Sequence, residues 1–339
     1  MPNGAGMVRA AVWRGPGQLV VQEWPLPEMH ADEVLVRVSC CGVCGSDLHI
    51  IDGGVPEFVP PRVLGHEPLG VIETVGSAVT GFGPGDEVCW EPSLPCRACF
   101  YCHEGEDGRC EQRVPILGSF AERTVVPQRA LYHVPPGLPD RAGVLAEPLS
   151  CALYAHDRGR LKVGDQVAVI GAGTIGLLLV MLARRAGAGL VVVSDPNPRK
   201  RELALGVGAD VAVDPTTERV AERVRHLCGG RGADVAFEAV GTTVTCLDTL
   251  AAVRSGGTAV LVGISSPTAE APVPLFDVLR RDLTIEAVWL RRFTFQRAVA
   301  LLPYLPVDRL LSHCVSLARI AEGLELLRSG KAVKVVVEP

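Results

Sequence analysis

The stretch Gln166-Val-Ala-Val-Ile-Gly-Ala-Gly-Thr-Ile-Gly176 decides how the second half of this chain is read. A strand-length apolar run ends in Gly171-Ala172-Gly173-Thr174-Ile175-Gly176, and the apolar run Leu177–Ala183 continues as a helix. The first glycine permits a tight turn, the second lets backbone approach a pyrophosphate, and the third lets the helix lie close against the strand. The helix N-terminus, with Thr174 and Ile175 in its first turn, then meets the phosphates with N–H groups and the positive end of its dipole. Asp195 closes the next apolar run about 20 residues past the last glycine. Its carboxylate suits the two adenosine ribose hydroxyls and repels a 2′-phosphate, so NAD is expected in preference to NADP. Arg199 and Lys200 are the nearby cations that would favour the phosphate instead.

Working outward from this motif, apolar strands alternate with helix-length segments. Leu190–Ser194, Val211–Val213, Asp234–Glu238, Thr258–Val262 and Leu283–Val288 read as strands. Continuous apolar strands of this kind point to a doubly wound parallel sheet with helices on both faces. The first 130 residues differ. Arg9–Trp13, Leu19–Glu23, Glu33–Ser39, Gly70–Val75, Glu87–Trp90 and Ser119–Val126 read as short strands separated by turn sequences such as Gly83-Pro-Gly-Asp86, the pattern of an antiparallel β unit. Past Trp289 the chain carries two helical stretches, Gln296–Leu302 and Ala318–Arg328, and a last strand, Val333–Val337.

Composition limits the classes open to the chain. With 339 residues, 48% hydrophobic and 21% charged, it suits a globular protein of two domains. A formal charge of −5, without a basic run, gives no footprint for nucleic acid. The N-terminus lacks the apolar core of a secretory signal. The apolar run Val167–Ala183 is interrupted by glycine and falls short of the ~20 residues that span a bilayer. A cytoplasmic protein with no membrane partner is expected, and in that setting twelve cysteines serve as metal ligands or core residues more readily than as disulfides.

Seven of those cysteines cluster, Cys40, Cys41 and Cys44 in one group and four more in 96–110. Cys96-x-x-Cys99-x-x-Cys102-x7-Cys110 places four thiolates in a loop of about 91–113, enough to close a tetrahedral zinc site without an open position, hence a structural one. An iron–sulfur cluster or paired disulfides are the competing uses of such a set. The second constellation is dispersed over Cys44-Gly-Ser46-Asp47-Leu-His49, Gly65-His66-Glu67 and Glu147-Pro148. Singly, each residue has an ordinary structural role; together they supply a thiolate, an imidazole and one or two carboxylates, the mixed set of a catalytic zinc. Cys44 and His66 are the expected ligands, the third is Glu67 or Glu147, and Asp47 would orient His66 through its other nitrogen.

At these residues the sequence resembles the zinc-dependent medium-chain dehydrogenase/reductase family, in particular its polyol (sorbitol) and threonine dehydrogenase branch. With Glu147-Pro-Leu-Ser150 and Gly330-Lys-Ala-Val-Lys334, the resemblance covers nearly the whole chain. It implies a GroES-like β catalytic domain, residues 1–150 and 289–339, into which a Rossmann NAD-binding domain, residues 151–288, is inserted, with the substrate cleft between them. Carried onto this chain, Cys44, His66 and Glu67 match the catalytic-zinc positions, and Glu147 matches one that is a ligand in some members only. Ser46 and His49 match the proton-relay pair. Val240, Val262 and Val288 lie in segments that flank the nicotinamide. Where the polyol branch carries an Arg-aromatic pair near the substrate, this chain reads Ala287-Val-Trp-Leu-Arg-Arg-Phe-Thr-Phe295, and residues 53–62 should line the pocket.

The activity implied is a zinc-dependent transfer of hydride between a secondary alcohol (polyol, cyclitol or amino alcohol) and NAD. Zinc would make the alcohol oxygen acidic, and the proton would leave through Ser46, the ribose hydroxyls and His49. L-threonine 3-dehydrogenase is the narrower alternative, and a non-catalytic NAD-binding protein is the alternative of another class. Partners expected are a small alcohol or ketone and a second copy of the chain, as a dimer or tetramer.

Overall fold

Valine alternation organises the first half of the chain. Along Glu33–Val43, Val34, Val36 and Val38 are buried while Arg37 is exposed, the two-residue period of a strand with one face on a core. From Cys40 onward every residue of the strand is buried, because Lys334–Glu338 pairs with this end of it, Val336 opposite Gly42. The computed structural model describes residues 6–54 and 58–339. It comprises two compact units, Met1–Glu147 with Phe295–Pro339, and Pro148–Thr294. These bounds differ by a few residues from 150/151 and 288/289. At the far boundary Thr294 Oγ1 donates to the Ser150 carbonyl at 2.7 Å, which ties the segment after the last strand to the second unit.

In the first unit the main sheet runs Leu131–His133, Glu87–Trp90, Glu67–Val75, Glu33–Val43, Lys334–Glu338, Leu311–Ser316, with Arg123–Pro127 also paired to Glu33–Val43. A three-stranded sheet of Gln18–Pro25, Met7–Gly15 and Arg62–Val63 lies apart from it in hydrogen bonding. Trp13, Val43, Leu64, Phe120, Ile320 and Val335 share one core cluster, so residues from both ends of the chain seal the same interior. The expected strand Ser119–Val126 is shorter than its apolar pattern, beginning only at Arg123. The residues before it cross to the smaller sheet instead: Phe120 N–H donates to the Leu64 carbonyl, and Ala11 N–H donates to the Phe120 carbonyl.

The second unit is a six-stranded parallel sheet in the order Val211–Val213, Leu190–Ser194, Gln166–Ile170, Ala233–Glu238, Val253–Leu261, Thr284–Ala287. Gln166–Ile170 therefore has its successor on one side and a later strand on the other. That reversal is the topological switch point, where ligands of such sheets bind beyond the carboxyl ends of the strands. Ile170, Ser194, Glu238 and Leu261 end four neighbouring strands in one row. Among the described residues no helix is long and apolar enough to cross a membrane.

Candidate active site

Cys44 ends the Glu33–Val43 strand and caps the helix Gly45–Ile51. Asp47, fully buried in the first turn of that helix, ties two elements together. Its Oδ2 accepts the Cys44 N–H at 2.9 Å, and its Oδ1 lies 3.1 Å from His66 Nδ1. His66 Nε2, the nitrogen Asp47 does not use, is 3.3 Å from Ser46 Oγ. Cys44, His66 and Glu67 bring one potential ligand atom each to within 4.8 Å of one another. Burial pulls the His66 imidazole down, but the Asp47 carboxylate, aided by the Cys44 sulfur, outweighs it and holds His66 well above its ordinary value. A cation-seeking group of sulfur, nitrogen and oxygen donors fits zinc.

Glu67 opens the Glu67–Val75 strand opposite Gly42, where a Cβ would come within 2.0 Å of Glu67 Oε2. Only glycine there leaves room for the carboxylate. Both carboxylate oxygens lie 2.6 Å from Lys334 Nζ, which also donates to the Val43 carbonyl at 3.0 Å, and both residues are buried. Burial pushes Glu67 up, as does Glu147, against the pull of Lys334. Burial pulls Lys334 down, but Glu67, Cys44 and Glu147 lift it above its usual value. The ammonium at 2.6 Å from both carboxylate oxygens makes the two a buried ion pair. Glu147, in the first turn of helix Ala146–Gly159, is buried as well. Sequence reading assigned Lys334 no role. Its one distinguishing sign is a lysine among valines in Val333-Lys-Val-Val-Val337. His49 is exposed, one turn past Ser46 on the same helix. Of the expected pocket stretch 53–62, residues 55–57 lie outside the described residues.

The sulfurs of Cys96, Cys99, Cys102 and Cys110 also fall within 4.8 Å of one another. Cys99 Sγ is 3.6 Å and Cys96 Sγ 3.9 Å from Cys102 Sγ. Sulfurs placed 2.3 Å from a tetrahedral zinc are about 3.8 Å apart, and disulfide sulfurs about 2.05 Å, so the spacing fits zinc and not a bond. Backbone N–H groups of Glu111 and Cys102 pull Cys99 down to about 6, whereas burial and its thiol neighbours hold Cys102 up at about 12. Crowded thiols cannot all ionise without a cation to share.

In the second unit, Gly173 caps helix Thr174–Arg185, and a Cβ at Gly176 would lie 1.9 Å from the Gly171 carbonyl. The buried Asp195 carboxylate receives Ala172 N–H at 2.9 Å and Asn197 N–H at 2.8 Å. The glycine turn and the Asp195 turn are thus one hydrogen-bonded structure. Arg199 is exposed and Lys200 half-buried, while Arg201, which sequence reading passed over, donates to the Asp195 carbonyl and pairs with Asp214. Val240 is partly exposed, and Val262 N–H and Val288 N–H donate to the carbonyls of Glu238 and Leu261.

Comparison with known proteins agrees with this geometry. A family description for the alcohol dehydrogenase GroES-like domain matches residues 30–136, and one for zinc-binding dehydrogenases matches 174–303. The sorbitol dehydrogenase of Bacillus subtilis is 31% identical, over 98% of this chain and 97% of its own length. The chain belongs to the zinc-dependent medium-chain dehydrogenase/reductase family. Within it, the similarity extends to the L-threonine 3-dehydrogenase of Anaeromyxobacter, 32% identical over 96% of this chain and 97% of the relative. A crystal structure of a zinc-binding dehydrogenase from Sinorhizobium meliloti, bound to NADP, is 33% identical, covers 98% of this chain and 100% of that one, and superposes with a TM-score of 0.95. The chain is accordingly an alcohol dehydrogenase of the family's polyol branch that uses zinc and a nicotinamide cofactor, built from a GroES-like domain and a Rossmann domain.

Proposed function

We propose that this dehydrogenase oxidises the secondary alcohol of a polyol, cyclitol or amino alcohol with NAD and reduces the matching ketone in the reverse direction. The observation that carries the reading is the convergence of Cys44, His66 and Glu67 within 4.8 Å, braced by the buried Asp47. Cys44 and His66 hold the catalytic zinc. The third donor is Glu67 or Glu147, and the grip of Lys334 on both oxygens of Glu67 favours Glu147. Bound there, zinc supplies a Lewis acid for the alcohol oxygen. The chain's own residues do the rest. Asp47 fixes the His66 ring, and Ser46 Oγ takes up the alcohol proton while passing its own toward His49, which releases it to water. Overall, a hydride leaves carbon and a proton leaves oxygen.

Asp195 accepts the ribose hydroxyls, Gly171, Gly173 and Gly176 make room for the pyrophosphate beside Thr174 and Ile175, and Val240, Val262 and Val288 flank the nicotinamide. Arg199 and Lys200, and the NADP in the Sinorhizobium relative, support NADP as the second cofactor. Cys96, Cys99, Cys102 and Cys110 hold a second, structural zinc. We also place the protein in the cytoplasm, whose reducing setting suits a chain with twelve cysteines and no disulfide among the described residues. There it forms a homo-oligomer, a dimer or tetramer, through the last strands of the parallel sheet. Support for that comes from the edge position of Thr284–Ala287 and the exposed Leu275, Phe276 and Leu279.

The test is reduction of NAD and NADP across polyols, aminocyclitols and amino acids, with zinc counted on the same sample. Turnover of a polyol or cyclitol with NAD at two zincs per chain is expected. L-threonine as the preferred substrate selects the second reading, which the Anaeromyxobacter relative favours. No turnover with one zinc or none defeats both.

A further inference from the structure

Glu238 is a buried acidic side chain at the carboxyl ends of the parallel strands that the mechanism leaves unused. It ends the Ala233–Glu238 strand and is 2% exposed. Its Oε1 accepts three hydrogen bonds, from Val240 N–H and Gly241 N–H at 2.8 Å each and from Thr245 Oγ1 at 2.7 Å. Its backbone carbonyl accepts two more, from Val262 N–H at 2.9 Å and Gly263 N–H at 3.0 Å. A single residue therefore shapes both turns, 239–241 and 262–263. Its Oε2 takes no donor from the described residues, and a Cβ at Gly263 would come within 2.7 Å of it.

The sheet order says which half of a dinucleotide lies here. The pyrophosphate sits over the glycine turn after Gln166–Ile170, and Asp195, on the neighbouring strand to one side, takes the adenosine ribose. The nicotinamide half then extends to the other side, over the ends of Ala233–Glu238 and Val253–Leu261. The ring that arrives there is cationic when oxidised and neutral when reduced.

We propose that Glu238 is a positioning residue for the nicotinamide and that its negative charge favours the oxidised cofactor over the reduced one. Oε1 holds the turns, and the charge, only partly answered by two amides and a hydroxyl, acts on the ring. The proposal rests on the nicotinamide cofactor alone and is independent of the alcohol.

Glu238→Gln separates charge from shape, since the amide oxygen of glutamine can accept the same three bonds. Dissociation constants for NAD+ and NADH, measured by calorimetry and NADH fluorescence on the full chain, give the readout without turnover. In Glu238→Gln, NAD+ binding should weaken on the order of tenfold, the size of one charge felt across a partly buried site. NADH binding should stay within about twofold of the parent, because a neutral ring gains nothing from that charge. Equal losses for both cofactors, or no change in either, would overturn the charge role. Glu238→Asp, which keeps the charge on a shorter arm, is the second variant. Both affinities should fall while their ratio stays close to the parent's, and a collapse of that ratio also overturns the proposal, even where the glutamine variant does not fold. Absence of polyol turnover in the parent, with cofactor binding intact, strikes the functional reading and leaves this ratio measurable.

Discussion

The four-cysteine lobe draws all four of its sulfurs from residues 96–110 and leaves them half-buried, whereas Cys44, His66 and Glu67 are brought together by a helix cap, a turn and a strand, with Glu67 fully buried. The first centre needs little beyond its own loop. The second needs Asp47 to face two residues at once, Gly42 to stay out of the way, and Lys334 to cross from the far end of the sequence. A local centre should fail locally, and an assembled one should fail through residues that never touch the metal.

Five substitutions, two of them combined, can break or sharpen that contrast. The largest effect is expected of Cys44→Ser, which should lower turnover by about three orders of magnitude, a loss of several kcal/mol of charge stabilisation, with the melting temperature nearly unchanged. Full turnover in this variant, measured alongside its zinc content, would remove the catalytic metal from the mechanism. Lys334→Met should cost about 3–5 kcal/mol of stability in denaturant melts, because it strands a buried carboxylate. Adding Glu67→Gln should return much of that loss; failure to do so would mean the pair is not an ion pair. Asp47→Asn comes next, with catalytic zinc affinity falling roughly 10–100-fold as His66 loses its brace. Retained affinity in a competition titration with a chelator would show that His66 orients itself. Smallest for turnover is Cys99→Ser, which should lower the melting temperature by about 5–10 °C and leave the rate per folded molecule intact. An unshifted melting curve would speak against a structural ion in the lobe.

The same contrast explains what could be read from the sequence. The clustering of the four sulfurs was legible from spacing alone, because they share one loop. The parallel sheet was legible as well, since its strands are continuous apolar runs and its glycine turn has a fixed mechanism. Cys44, His66 and Glu67 could be named as donors by chemistry, but their supports could not be found that way. Lys334 breaks a run of valines, and nothing nearby in sequence says which acid it meets. Glu238 reads as an ordinary strand end until the backbone amides of residues 240 and 241 turn back on it. The apolar alternation of Ser119–Val126 overshoots for a related reason: it continues through a crossover between two sheets, and alternation records burial without recording the partner.

The pairing of Glu67 with Lys334 joins positions 267 residues apart. During translation the ribosome has made Cys44, His66, Glu67 and Glu147 long before the lysine appears. Until that strand emerges and slots beside Glu33–Val43, the acid lacks the ammonium that grips both of its oxygens. Interrupted synthesis thus yields chains that hold the metal donors without their counter-charge, and cellular proteases would meet them as open, unfinished sheets.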